Sequence, residues 1–110
     1  MTAIRDEFAL IRDIAALCPT RGAAVRVPLN DDAAVAATPP NTELVVTTDI
    51  LTEDVHFSAQ TITFQELGWK LAAVNLSDLA AMGAQPLGIV VALALPQTTQ
   101  KENMISLYHG

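Results

Sequence analysis

Three clusters of oxygen-bearing side chains lie on separate stretches of this chain, and each is flanked by apolar sequence. They are Asp31-Asp32, Thr47-Thr48-Asp49, and the segment from Asn75 to Asp78. Carboxylates are costly to bury without a compensating charge, so carboxylates in apolar surroundings predict a cation between them. Carboxylate, hydroxyl and carbonyl oxygens are the hard ligands that Mg²⁺ prefers. The chemistry to expect from these residues is therefore that of a Mg²⁺ site.

Asp78 carries the strongest of these signals. It follows Asn75 by three positions, and so lies on the same face of a predicted helix in which nearly every other residue is apolar. Without a partner, a carboxylate there would be protonated or would destabilise the helix. The alternative is a residue at a helix end with access to solvent, or one bonded to the amides of a neighbouring loop.

The other candidates are ambiguous when taken alone. Side chains alternate along a strand, so Thr47 and Asp49 would point to one face, and one threonine would offer a metal its backbone carbonyl. Two threonines before an aspartate are equally typical of an ordinary strand end. Asp31-Asp32 lies in a loop, where turns and helix caps are common, and a loop histidine such as His56 is more often a surface residue than a ligand.

Regular elements must position these residues. Apolar residues at helical spacing predict a helix over 3–17, with Ile4, Phe8, Ile11, Ala15 and Cys18 on its buried face. The apolar runs 44–51 and 87–95 predict two buried strands, and 64–82 predicts a largely buried helix that ends at Gly83. The remaining predicted elements are short strands over 23–27 and 33–37, a turn at 39–41 and a helix over 100–108.

Composition limits what such a site can serve. The chain has 110 residues, 51% of them hydrophobic, and a formal net charge of −6 with six scattered Lys and Arg residues. The absence of a basic stripe argues against nucleic-acid binding, and the longest apolar run, from Gly88 to Leu95, is too short to span a membrane. We therefore expect a cytoplasmic, soluble domain. Because a domain this small cannot cover all of its apolar surface, we also expect contact with a second domain or a partner subunit.

The sequence contains no glycine-rich phosphate loop, since its five glycines are too far apart for a Walker or dinucleotide fingerprint. Any phosphate would then be held through metal. Bridging Mg²⁺ reverses the sign of an acidic site, so that a nucleotide can bind there despite the negative net charge.

Three strings in the sequence identify a family. Asp31 to Val35 reads DDAAV, Thr47 to Phe57 reads TTDILTEDVHF, and Leu67 to Pro86 reads LGWKLAAVNLSDLAAMGAQP. Together with EFALI at 7–11 and LALP at 93–96, they closely resemble the N-terminal domain of the thiamine-monophosphate kinases, in the superfamily named for aminoimidazole ribonucleotide synthase. The resemblance implies an α+β fold in which helices pack on a mixed β-sheet and strands complete a barrel in a homodimer.

The resemblance also implies an activity and a set of site residues. The activity is ATP-dependent phosphorylation of thiamine monophosphate to thiamine diphosphate, by direct in-line transfer without a phosphoenzyme, with several Mg²⁺ ions as cofactors. Asp32 would ligate Mg²⁺, Asp78 would bridge several ions, and His56 would contact the phosphate end of the substrate. Further ions would be held by Thr47, Thr48 and Asp49, and the secondary candidates for the site are Asp31 and Asn75.

Two positions and the length depart from the family's pattern. Asn30 and Asp54 stand where the family usually or often has glycine, and both are predicted to need a positive φ, which Asn and Asp tolerate best. The chain stops at Gly110, before the family's glycine-glycine-aspartate-threonine strand and its C-terminal domain. We expect residues 1–110 to be a truncated N-terminal ATP- and Mg²⁺-binding domain with little or no kinase activity by itself.

Other functions stay open. Another ATP- and Mg²⁺-dependent member of the superfamily would use the same fold. A phosphohydrolase would release phosphate from ATP without thiamine monophosphate. A non-catalytic metal-binding or dimerisation module would keep its function after the substitution Asp49→Asn.

Overall fold

A computed structural model describes residues 3–4, 6–18, 24–27 and 32–110 of the chain. Helix α1 spans Glu7–Leu17, strand β1 Val25–Val27, strand β2 Val35–Ala36, helix α2 Phe64–Ala81 and helix α3 Lys101–His109. The α+β class predicted from the sequence is therefore confirmed. Every predicted helix is present, with ends that differ from the predicted ones by a few residues.

Helix α1 begins later than predicted because Asp6 caps it. The Asp6 carboxylate accepts hydrogen bonds from the backbone N–H groups of Phe8 and Ala9, at 3.0 and 3.3 Å. A side chain that accepts from these otherwise unpaired amides fixes the first helical residue directly after it.

The predicted buried face of α1 is confirmed in part, since Ile4 and Cys18 are half-buried against the core, but it is wrong at Phe8. Leu10 and Ile14 are the buried residues, whereas Phe8 is 74% exposed. Helix α1 carries apolar residues on more than one side, and the side that is buried is the one against α3. Periodicity alone does not decide between two apolar faces; the neighbouring helix does.

Helix α2 is defined by clear signals at both ends. Thr63 and Glu66 form a capping box at its start. At its end the N–H of Ala84 donates to the carbonyl of Leu79 at 2.9 Å, and Gly83 adopts the left-handed φ of 65°. This is a Schellman motif, in which glycine is favoured because it lacks a Cβ. The predicted role of Gly83 is confirmed.

The expectation that α2 is largely buried is wrong for the chain by itself. Among its residues only Leu67 and Gly68 are buried, and Trp69 is 67% exposed. One side of α2 packs against α3, and no other described element covers the opposite side.

The small core lies where α3 meets α1 and α2. It is a cluster of five buried side chains, of which Met104 is fully enclosed: Leu10, Ile14, Leu67, Met104 and Leu107. Gly68 allows α2 and α3 to approach closely, because a Cβ at that position would lie against the backbone carbonyl of Leu107, 2.9 Å from its carbon. Helix α2, which carries the predicted site residues Asn75 and Asp78, is thus held from one side.

Strands β1 and β2 form a two-stranded antiparallel sheet with an irregular register between Val25 and Val27. They are shorter than the predicted strands 23–27 and 33–37. The turn predicted at 39–41 is confirmed, with Asn41 at a φ of 61°.

The predicted buried strands 44–51 and 87–95 are not found. Neither run belongs to a ladder within the described residues, and Val46 and Val90 are 75% and 89% exposed. A strand needs a partner to satisfy its backbone groups and cover its side chains. No strand in the described part of this chain supplies one, and the mixed sheet predicted for the fold is reduced to β1 and β2.

The chain therefore leaves much apolar surface open. Its accessible surface is 8458 Å², whereas a compact monomer of this mass exposes about 5,900 Å². Its radius of gyration is 15.2 Å, against about 13 Å for a compact domain of this length. In the described residues, no helix is long and apolar enough to cross a membrane.

Candidate functional site

Two of the predicted site residues, which are far apart in the sequence, are in contact. The hydroxyl of Thr47 donates a hydrogen bond to the carboxylate of Asp78, with a distance of 3.0 Å between Oγ1 and Oδ2. Thr47 lies in the segment between β2 and α2, and Asp78 lies one turn before the end of α2. The contact brings two hard oxygen donors from separate segments to one place.

The position of Asp78 near the C-terminal end of α2 gives this place a negative electrostatic potential. The C-terminal end of a helix carries about half a negative elementary charge, and the last turn of α2 contains no basic residue. A carboxylate there adds to the negative potential of the helix end. A cation is the natural complement of this arrangement, and the side chain is exposed enough to receive one.

The neighbours of Thr47 and Asp78 are partly engaged in local bonds. Asp49 accepts a hydrogen bond through Oδ1 from the N–H of Ile50, at 2.8 Å. The Asn75 amide donates to the Leu71 carbonyl within α2, at 2.9 Å. Asp49 keeps its second carboxylate oxygen and Asn75 its amide oxygen as potential ligands.

The remaining predicted ligands are described only in part. Thr48 is exposed, and Asp32 is exposed close to the start of β2. Asp31 and Asn30 lie outside the described residues. Within the described residues, no three His, Cys, Asp or Glu side chains come together as a ready metal site. The described part of the site thus consists of the Thr47–Asp78 pair with single oxygen donors on the flanking residues.

His56 is held in a closed turn by its own backbone and ring. Its N–H donates to the Thr52 carbonyl at 2.8 Å, and its Nδ1 accepts from the Thr52 N–H at 3.0 Å. A ring nitrogen that accepts a hydrogen bond carries no proton, so the proton of the neutral ring is on Nε2. Asp54, in the same turn, has a φ of 62°, which confirms the positive φ predicted for that position.

A shallow open cleft of about 400 Å³ lies between this turn and α2. Its charged or titratable lining residues are His56, Glu66 and Lys70. The Lys70 ammonium group donates to the carbonyl of His56. The pKa of Glu66 is held below its usual value, first by the hydrogen bond from the Thr63 N–H and then by the one from the Thr63 hydroxyl.

Lys70 and Thr52 were not predicted as part of the site. Lys70 is the only basic residue within the α2 sequence, which is otherwise mostly apolar. A lone cation in such a helix is a signal that sequence inspection can find. Thr52 contributes a backbone N–H, which donates to the His56 ring, and no pattern of side chains in the sequence reveals such a contact.

Comparison with known proteins places these residues in a family context. The family described as AIR synthase related protein, N-terminal domain, matches residues 30–110. A curated thiamine-monophosphate kinase of Synechococcus elongatus is 49% identical over 80 residues, which cover 73% of this chain and 24% of that protein. The proteins of the same name from Haemophilus influenzae and Bacillus subtilis are 45% identical over 84 residues and 35% identical over 105 residues.

These matches cover most of this chain but only a small part of each relative. The Haemophilus and Bacillus matches cover 76% and 96% of this chain, but 25% and 32% of those proteins. The chain thus spans about a quarter to a third of the length of these relatives. No solved structure matches the chain.

Proposed function

The chain belongs to the family of N-terminal domains of AIR synthase related proteins, and from this premise we propose that it forms part of the Mg²⁺-ATP site of a thiamine-monophosphate kinase. The reaction would transfer the terminal phosphoryl group of ATP to thiamine monophosphate and so yield thiamine diphosphate. The relatives named as thiamine-monophosphate kinases support the reaction, and the Thr47–Asp78 contact carries the assignment of the site.

The oxygen donors in the described residues fit Mg²⁺. This ion keeps several waters and binds to proteins through one or two carboxylates together with substrate phosphates. A pair such as Thr47 and Asp78, with Asp49 nearby in sequence, supplies that kind of partial set. We propose that Asp32, Thr47, Thr48, Asp49 and Asp78 hold Mg²⁺, with Asp31 and Asn75 as secondary contacts. When bound, the ions would neutralise charge on the transferred phosphoryl group.

The protein side chains would act by binding and orientation. Asp78 places a negative charge at the helix end, and Thr47 positions that carboxylate through its hydroxyl. His56 offers Nε2–H as a donor, which suits the phosphate of thiamine monophosphate. No side chain is proposed as a covalent nucleophile. In phosphoryl transfer, positioning and charge stabilisation supply nearly all of the catalysis.

The proposal includes a homodimer in the cytoplasm. The exposed apolar residues Val46, Ile50 and Val90 lie in the two segments that the sequence predicted as strands. Pairing of these segments with strands of a second copy would satisfy their backbone groups and bury their side chains.

A chimera tests the proposed function. Residues 3–110 replace the matching segment of the Bacillus subtilis relative, because that match covers 96% of this chain and includes α1, which packs on α3. With Mg²⁺, ATP and thiamine monophosphate, the chimera should form thiamine diphosphate. The unaltered relative is the positive control, and the relative without the segment is the negative control.

Two results would contradict the proposal. One is a folded chimera that turns over no ATP. The other is release of phosphate from ATP at a rate that does not depend on thiamine monophosphate, which would indicate a phosphohydrolase.

A further inference from the structure

We propose that Lys70 is a positioning residue, which holds the backbone of His56 so that the ring presents Nε2–H in a fixed direction. The role of the His56 ring towards a substrate rests on the proposed function. The positioning itself rests on contacts within the described residues and can be measured without any substrate.

Every polar group of His56 except Nε2 has a hydrogen bond within the described part of the chain. The N–H and Nδ1 are both bonded to Thr52, and the carbonyl accepts from Lys70. The first two bonds are local, since they join residues four apart. They fix the ring relative to the turn but not the turn relative to the rest of the molecule.

Lys70 connects the turn to helix α2. It lies on α2, which is capped at Thr63 and packed against α3 at Gly68. The other bonds of the turn, such as the one from the Asp54 N–H to the Phe57 carbonyl at 2.7 Å, stay inside the turn. Leu51 and Phe57, at the two ends of the turn, pack partly against the core. Between these two ends, the Lys70 bond joins the backbone of His56 to α2.

The charge of Lys70 makes it suited to this task. A hydrogen bond from an ammonium group to a carbonyl is stronger than one between neutral groups. Lys70 itself is half-buried, although the carbonyl that it bonds belongs to the exposed residue His56. Glu66 also lines the cleft, but its carboxylate accepts from the Thr63 N–H and hydroxyl, both at 2.8 Å. Glu66 thus uses Oε2 at the cap, while the ammonium group of Lys70 donates to the His56 carbonyl.

Hydrogen exchange in the 110-residue chain tests the proposal directly. The reporter is the amide of Thr52, whose N–H is bonded to His56 Nδ1. In Lys70→Met the turn should open more often, and the Thr52 amide should exchange at least about tenfold faster. Lys70→Arg keeps a charged donor and should restore most of the protection. Lys70→Gln is a polar second variant that removes the charge and shortens the side chain by one bond, so it should also lose protection at Thr52.

Lys101→Met is the matched control. Lys101 forms an ion pair with Asp13, between α3 and α1, and does not line the cleft. Its replacement removes the same charge and the same number of side-chain atoms, yet Thr52 exchange should stay within about twofold of the original chain. The ring signals of His109, at the end of α3, serve as an internal reference in every variant.

Thr52 exchange that is unchanged in both Lys70→Met and Lys70→Gln would overturn the proposal. Equal acceleration in Lys101→Met would also overturn it, because a general loss of stability would then explain the effect.

The kinase chimera separates this inference from the proposed function. Lys70→Met should raise the KM for thiamine monophosphate at least about fivefold, leave the KM for ATP within about twofold, and be rescued by Lys70→Arg. A chimera without kinase activity would refute the proposed function, while the exchange measurement would still decide the role of Lys70.

Discussion

The close approach of α2 and α3 at Gly68 provides a test of the fold that positions Asp78 and Lys70. The perturbation is Gly68→Ala. The added Cβ would lie 2.9 Å from the carbonyl carbon of Leu107 and 3.3 Å from its Cα, whereas carbon atoms pack at about 3.5–4.0 Å. The obstacle is backbone, so no side-chain rotation relieves it. Helix α3 must move away by on the order of 1 Å.

Two opposing terms decide the size of the effect. Alanine within a helix is more favourable than glycine by about 1 kcal/mol. Overpacking a core costs about 1–3 kcal/mol, and the upper end applies because Leu107 and Met104, which belong to the core, move with α3. The net result is a loss of about 2 kcal/mol in the free energy of unfolding. For a chain of this size that corresponds to a fall in Tm of roughly 10 °C.

Thermal unfolding followed by circular dichroism measures this change. The control is Gly88→Ala, whose new Cβ would meet, among the described residues, the Val25 Cγ2 atom at 3.8 Å, an ordinary van der Waals contact. Its Tm should stay within roughly 2 °C of the original chain. A Gly68→Ala chain with an unchanged or higher Tm would refute the packing of α3 on α2 described above, because helix propensity alone would then account for the result.

Three further predictions concern the caps and turns around the cleft. Thr63→Ala removes the capping box and should cost about 1 kcal/mol in the free energy of unfolding; an unchanged urea midpoint would contradict it. Because the pKa of Glu66 is lowered in the folded chain from 4.5, its contribution to stability is present above that value and is lost as the pH falls through the lowered pKa. The difference in Tm between the original chain and Glu66→Gln should therefore shrink as a titration goes from neutral pH to below 4.5, and a constant difference would count against the cap. Asp54 has a φ of 62°. Asp54→Gly should therefore raise the free energy of unfolding by about 0.5–1 kcal/mol, and Asp54→Ala should lower it. The reverse order of Tm values would show that the turn has another conformation.

The helices could be predicted because their signals are local. Gly83 and Pro86 indicate the end of α2, and the structure places that end within one residue of the predicted position. The capping box formed by Thr63 and Glu66 has a recognisable four-residue pattern that the prediction did not use. Asp6 similarly explains why α1 begins at Glu7.

The strands and the buried faces could not be predicted because they depend on partners. The runs 44–51 and 87–95 have the composition of strands, but composition does not supply a neighbour with free backbone groups. The buried side of α1 is set by α3, which is more than eighty residues away in the sequence. Contacts of this kind are invisible to a periodic pattern.

The site was predictable to the extent that its residue types limit its chemistry. The sequence predicted that Thr47 and Asp78 belong together, and the structure brings them into contact. It did not predict the Lys70–His56 bond, because a carbonyl acceptor has no side-chain signature. The metal and substrate roles of these residues stay predictions, and activity measurements are needed to test them.

The Mg²⁺ dependence of the Asp78→Asn chimera tests the central claim most directly. The claim is that Asp78, paired with Thr47, holds Mg²⁺ for phosphoryl transfer. The control is Glu7→Gln, which changes one exposed carboxylate to an amide in the first turn of α1. In the chimera, Asp78→Asn should lower kcat/KM at least about 100-fold and shift half-saturation to higher Mg²⁺, whereas Glu7→Gln should stay within about twofold. An Asp78→Asn chimera with the original activity and the original Mg²⁺ dependence would contradict the claim.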